Sequence, residues 1–355
     1  MKRLVTTQAP KRSPFWRYLK ISLLVFGLVI LGLILFLFVG RAQKQTETVY
    51  GVTWSATYAR YLGIDPVQGL ETVLNELGVR DFRIPAYWTE VEPSAGNFTF
   101  DTVRAQLDAI AQRGGTAIVC LGGKQPRWPE WWIPEWIKTR PAEEMEVAQR
   151  NYVERTFQAL AWHPAIVAWQ VESEPSFSAS FGHGVKQREA FLREEMQLVR
   201  QLETQYATYT ETTPRPIFTT ESGELSWWGH FGNEVDGIGT SVYRTVLMPG
   251  GYVLRYWFLP PWFYARKALL VRPWVKEVFV SEFQMEPWVP GGIIDATLDQ
   301  QFRTFDLEQM QKNFHYAERM PQSPIYFWGV EWWLWMKDRH SHPEFWETAK
   351  RFFAK

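Results

Sequence analysis

The chain has 355 residues, 38 basic and 38 acidic side chains, and a hydrophobic share of 46%. That composition excludes a disordered chain, and the single cysteine, Cys120, excludes an intrachain disulfide. Residues 1–20 carry Lys2, Arg3, Lys11, Arg12, Arg17 and Lys20 and no acid, so 32 basic side chains face 38 acidic ones in the remainder. An acidic main body argues against a nucleic-acid partner, which needs a basic surface stripe.

Residues 21–39, ISLLVFGLVILGLILFLFV, form an unbroken apolar run of 19. A helix of that length crosses a hydrocarbon core of ~30 Å, whereas the core of a signal peptide is shorter, about 7–15 residues. The reading is an uncleaved anchor over 21–40 that inserts in the lipid bilayer, with a long cleaved signal as the competing one. Positive charge before the run places the tail (1–20) in the cytoplasm and everything beyond the anchor outside. A short linker, 41–48, leads to the domain, 49–355.

From there the pattern is strand, loop, helix, repeated. Apolar runs rich in β-branched and aromatic residues occur at 49–54, 81–86, 116–121, 165–171, 216–220, 235–242, 277–282 and 324–330. Helical periodicity occupies 66–77, 101–113, 141–161, 186–206 and 298–320. Eight runs alternating with helices, with no compositional break, predict parallel βα units closing into a (β/α)8 TIM barrel. The segment 255–274, RYWFLPPWFYARKALLVRPW, is apolar, aromatic and basic. It reads as an insertion plus the sixth barrel helix, or as an amphipathic element on a membrane surface.

In such barrels the chemistry sits at the carboxyl ends of the strands. The fourth run ends in Glu172 and Glu174, and the seventh in Glu282 and then Glu286. Two carboxyl groups facing each other across a barrel mouth suit glycoside cleavage, in which one protonates the leaving oxygen and the other attacks the anomeric carbon.

The motifs agree. FRIPAYWTEVEPSAGNFTFD (82–101), WHPAIVAWQVESEP (162–175), GTSVYR (239–244), EVFVSEFQMEPW (277–288) and PIYFWGVEWWLW (324–335) resemble, in the correct order, segments of the clan A retaining glycoside hydrolases. That superfamily holds the family-5 cellulases and mannanases and the family-42 β-galactosidases. The resemblance implies a β-glycosidase or β-glycanase acting on an oligo- or polysaccharide; with no further ligand cluster in the sequence, no metal or cofactor is expected. It makes Glu174 the acid/base, Glu282 the nucleophile, Arg83 and Tyr243 its hydrogen-bond partners, and Trp328 the sugar platform. Trp88, Ser173 and Trp288 join these as expected substrate contacts. An arginine and a phenol beside Glu282 would hold it ionised, while a less solvated Glu174 keeps its proton longer. Glu172 has the same strand parity as Glu174, and the Glu-Pro match selects the latter.

One departure stands beside the acid/base. The clan usually has Asn there, bonding the substrate 2-hydroxyl; here it is Ser173, which is shorter and lacks an amide's donor–acceptor pair. This keeps open an anchored barrel that binds carbohydrate with weak or no activity, and a transglycosylase. The loop 122–136 with Trp128, Trp131, Trp132 and Trp136 is either a subsite wall or packing, and His340 and His342 read as surface residues rather than metal ligands. Cys120, in TAIVCLGG, reads as a buried apolar residue.

Overall fold

The computed structural model of the chain describes residues 14–41, 47–177, 187–248, 250–289 and 291–355. It divides into two units, Met1–Arg41 and Ala42–Lys355. Lys2, Arg3, Lys11, Arg12, most of the 41–48 linker and Lys186 lie outside the described residues.

Among its described residues, the first unit contains one α-helix, Pro14–Phe38. It begins seven residues before the apolar run, with proline as its first residue, where the missing N–H costs nothing. Arg17 and Lys20, read as tail, are therefore helical. The stretch Phe15–Phe38 has a mean hydropathy of 3.1 and is long and apolar enough to cross a membrane.

In the second unit all eight apolar runs become strands, within two residues of their expected bounds: β1 Tyr50–Thr53, β2 Asp81–Pro85, β3 Thr116–Leu121, β4 Ile166–Val171, β5 Ile217–Glu221, β6 Gly237–Val242, β7 Glu277–Gln284 and β8 Ile325–Trp328. Each pairs in parallel with its sequence neighbours, and β8 closes on β1. The fold is a TIM barrel. Alternation along each strand sends every second side chain inward, and Ile118, Ala168, Phe218, Phe279 and Tyr326 meet in one apolar layer. Gly51 on β1 admits the Tyr326 ring to that layer, since a Cβ there would sit 2.7 Å from it. Cys120 is buried, as its apolar run implied.

The helices depart from expectation in three places. The first changes from α (Pro66–Thr72) to π (Val73–Leu77). The run 298–320 breaks into Leu298–Phe302 and Leu307–Ala317, because Thr297 and Asp306 each cap a separate start. Turns alone join β5 to β6. The 255–274 segment resolves into the end of an antiparallel hairpin (Thr245–Leu247 with Val253–Arg255) and the barrel helix Trp262–Val271.

Candidate active site

Because all strands run parallel, their carboxyl ends share one mouth. Glu282 lies two residues from the end of β7. Thr240 of β6 pairs with Val280 and Ser241 with Glu282, so Ser281 is an extra residue on β7. Such a bulge re-aims the side chain beside it. Arg83 of β2, fully buried, donates Nη1 to Glu282 Oε1 at 2.7 Å and Nε to Gln170 Oε1 at 2.6 Å. Burial opposes the guanidinium charge, but Glu282 outweighs it and the Arg83 pKa rises. Arg83 Nη2 is buried without a hydrogen-bond partner.

Glu174 follows β4. Its N–H donates to Thr220 Oγ1 at 2.9 Å and its Oε1 accepts from Ser241 Oγ at 2.7 Å. Ser241 is thus the pairing partner of Glu282 and the donor to Glu174, which brings the two carboxyl groups to one place on the mouth. Burial, then the negative charges of Glu282 and Glu130, push the Glu174 carboxyl up to about 8, against the pull of Lys124 and Ser241. Glu172, two residues earlier, has a different job. Fully buried, it accepts from the backbone N–H groups of Gly123 (2.8 Å) and Lys124 (2.7 Å) and from Gln149 Nε2 (2.7 Å). It fastens the loop after β3.

The backbone is strained where these groups meet. Glu172 and Glu174 have φ of 60° and 48°, and Arg127 and Glu130 in the β3 loop have 80° and 67°. Non-glycine residues in the left-handed region concentrate at functional sites.

Three of the expected sugar contacts form an aromatic group. Tyr243 meets Trp288 edge-on at 5.4 Å and Trp328 at 5.8 Å. Burial, then Glu282 and Glu174, hold the Tyr243 hydroxyl well above its usual pKa. The resemblance implied a hydrogen bond from that hydroxyl to Glu282; among the described residues none joins them. Ser173 is buried, its N–H donates to Lys124 O at 2.8 Å, and its Oγ accepts from Thr220 at 3.4 Å.

Trp88 does not reach the mouth. It is fully buried, stacks on Tyr152 at 5.4 Å and donates Nε1 to Glu92 at 2.9 Å. Its expected sugar contact is corrected to a packing role, because the short helix Trp88–Val91 turns it toward the helix layer. In the 122–136 loop, Trp132 packs on Tyr87 at 4.0 Å and Trp136 edge-on to Trp88, while Trp128 is exposed. His340 packs on Trp335 and His342 pairs with Glu344 at 2.8 Å.

Sequence reasoning missed several groups. Lys124 donates to the carbonyls of Glu174 (3.0 Å) and Phe177 (3.1 Å) and pairs with Glu130 at 3.3 Å. Arg127 joins Glu286 (2.5 Å) and Glu331, all three nearly buried, with its guanidinium 5.5 Å from the Trp328 ring centre. The charged letters in GGKQPRWPE were the available signal, overshadowed there by the tryptophans.

No protein-family model matches the sequence, and no curated protein matches it. Solved structures do. The chain is similar to a GH42 β-galactosidase from G. stearothermophilus at 11% identity and a TM-score of 0.55, covering 87% of this chain and 56% of that one. It is similar to a GH5_18 protein from Streptomyces cattleya, solved with GlcNAc, at 13% identity and TM-score 0.54, covering 81% and 70%. A GH10 endo-β-1,4-xylanase from Gloeophyllum trabeum matches at 16% identity and TM-score 0.50, covering 80% and 84%. This chain therefore spans little more than half of the galactosidase. At such identities the likeness is one of fold: the second unit has the barrel architecture of glycoside hydrolases of families 5, 10 and 42.

Proposed function

We propose that the chain is a retaining O-glycosyl hydrolase that cleaves a β-linked glycan or glycoside by double displacement. Glu282 is the nucleophile and Glu174 the acid/base. The observation that carries this reading is the contrast between the two carboxyl groups. Glu282 is paired with the buried Arg83 cation, and Glu174 is held protonated up to about 8. A carboxyl group paired with a buried cation, beside one that keeps its proton, is the arrangement that double displacement requires.

The steps follow from that contrast. Glu282 attacks the anomeric carbon while Glu174 gives its proton to the departing glycosidic oxygen. The resulting ester has no charge on Glu282, so one of the influences raising the Glu174 pKa disappears. Glu174, now more acidic and ionised, takes a proton from water as the water attacks the ester. Free Glu282 returns and raises the Glu174 pKa again. Tyr243, Trp288 and Trp328 offer flat faces for the apolar side of a sugar ring, and Ser173 offers a hydroxyl near its 2-position. The helix Phe15–Phe38 tethers the barrel to a membrane, with the tail cytoplasmic and the barrel outside as the positive charge before it directs.

Azide rescue tests the roles. Glu174→Ala, given an aryl glycoside whose leaving group needs no proton, still forms the ester, and added azide restores turnover with a β-glycosyl azide as product. An α-azide, or rescue in Glu282→Ala instead, contradicts the assignment. Ser173 in place of asparagine favours a second reading, a barrel that binds sugar without cleaving it. Binding with no turnover across a panel of aryl glycosides and glycans establishes that alternative.

A further inference from the structure

The loop after β3 does not stay above its own strand. Its tip reaches across the mouth, and each step of the crossing is fastened. Over β2, Gln125 Nε2 donates to Ala86 O at 3.2 Å and the Tyr87 hydroxyl donates to Pro126 O at 2.9 Å. That hydroxyl also lies 2.8 Å from Ser55 Oγ, beside the end of β1. On the far side Arg127 pairs with Glu286 after β7 (2.5 Å) and with Glu331 after β8, and its guanidinium covers the Tyr58 ring at 3.9 Å. Glu331 is itself held, accepting from Ser55 N at 2.6 Å. The side chains of Arg127, Glu286 and Glu331 are 6%, 7% and 0% exposed. Swinging the loop aside would strand these buried charges, so it is a fixed wall.

The wall stands beside the reacting groups. Arg127 is 5.5 Å from the Trp328 ring centre, and Glu130, three residues on, is close enough for its charge to act on Glu174. Trp328 is only 8% exposed, too little for the floor of a groove that holds a row of sugars. We propose that the chain is exo-acting: the β3 loop closes the mouth beyond Trp328 into a pocket for one terminal sugar, which is removed from the non-reducing end of a glycan. The inference rests on the roles proposed above for Glu282 and Glu174. In double displacement the retained ring is bonded to Glu282, and the part that leaves is protonated by Glu174. Glu174 follows β4 and is held by Thr220 of β5 and Ser241 of β6, so the leaving part departs on that side. Further sugars on the retained ring would run the other way, over β8, β1 and β2. Gln125, Pro126 and Arg127 occupy that sector, and only a ring without a neighbour there fits. Arg127 and Glu286, which pin the wall, are then specificity-determining residues.

The order of products tests this. The full chain is assayed on 4-nitrophenyl β-glycosides of common sugars, then on β-linked 4-nitrophenyl disaccharides of each sugar it accepts. Nitrophenol should appear at once from the monosaccharide compound and only after a lag from the disaccharide, whose first product should be its free terminal sugar. A benzyl cap on the terminal ring of the disaccharide should lower kcat/KM by more than about 100-fold, since even one surplus methylene in a closed pocket costs about 10–200-fold. Arg127→Gly with Glu286→Ala removes the wall and should raise the ratio of capped to uncapped kcat/KM on the order of tenfold. An unchanged ratio in the folded variant overturns the proposal; if that variant does not fold, the products of the unaltered chain decide alone. Free disaccharide among its first products, or nitrophenol released from the capped compound, overturns the exo inference and leaves the hydrolase reading standing. No turnover of any compound removes the hydrolase reading, and this inference with it.

Discussion

Replacing Glu174 with glutamine keeps the size of the side chain and removes its titration, so it isolates the energetic cost of the buried acid. The folded carboxyl is pushed up to about 8 from an ordinary value of 4.5. Below pH 4.5 the folded and unfolded chains both hold the proton, and Glu174 costs nothing. Between 4.5 and 8 the unfolded chain releases it while the folded one retains it, so stability falls as pH rises; above 8 the penalty is constant. At about 1.36 kcal/mol per pH unit, the penalty is about 3 kcal/mol at pH 7 and on the order of 5 kcal/mol at pH 8. These are upper bounds, because Glu174 is partly open to solvent. The glutamine variant escapes the penalty. Thermal unfolding of both proteins from pH 4.5 to 8.5 should give equal midpoints at the acid end and a lead of several degrees for Glu174→Gln at the alkaline end. A constant offset across pH refutes the assignment of a raised pKa to this carboxyl. Glu282→Gln should give part of the same alkaline gain, since the charge it removes is the largest one acting on Glu174 after burial.

Other outcomes follow from the same contacts. The alkaline limb of kcat/KM should fall near pH 8, and Ser241→Ala should move it higher, because the serine hydroxyl stabilises the ionised form of Glu174. Arg83→Met leaves Glu282 without its buried cation and should cost about 3–5 kcal/mol in denaturant unfolding; adding Glu282→Gln should return part of it. Trp88→Ala should cost about 3–5 kcal/mol of stability and leave KM unchanged in the folded fraction, while Trp288→Ala should raise KM with little loss of stability. Arg127→Met strands the buried carboxyls of Glu286 and Glu331 against each other. The Glu286 pKa, already about 7 from burial despite Arg127, should rise further, so the decline in stability that begins near pH 4.5 should continue past pH 7 in the variant where it levels off in the parent.

The barrel was legible because each strand is a compact apolar run between turn residues, and parallel βα units permit few closures. The two proposed catalytic acids stood out because both fall at strand ends, and the roles proposed for them came from resemblance. Glu172 and Glu174 have the same parity, and only the positive φ at both sends one into the β3 loop and the other toward Ser241. Trp88 looked like a substrate contact because its motif matched, but a four-residue helix carries it inward. The cluster of Arg127, Glu286 and Glu331 spans 159 and 204 residues of sequence, and no local pattern predicts such a meeting. Ser241 and Gln170 were hidden for the same reason. Each is an unremarkable polar letter in a strand until closure sets it beside a carboxyl or a guanidinium.

The central claim concerns one covalent bond, between the anomeric carbon of a sugar and the Glu282 carboxyl. The most direct test is to incubate the full chain with 2-deoxy-2-fluoro glycosyl fluorides of several sugar configurations and to digest and sequence the labelled protein by mass spectrometry. The account predicts one sugar per chain, attached at Glu282 and absent from Glu282→Gln. A label on Glu174, Glu286 or any other residue contradicts it, as does turnover of a glycoside whose fluoro analogue never labels the chain.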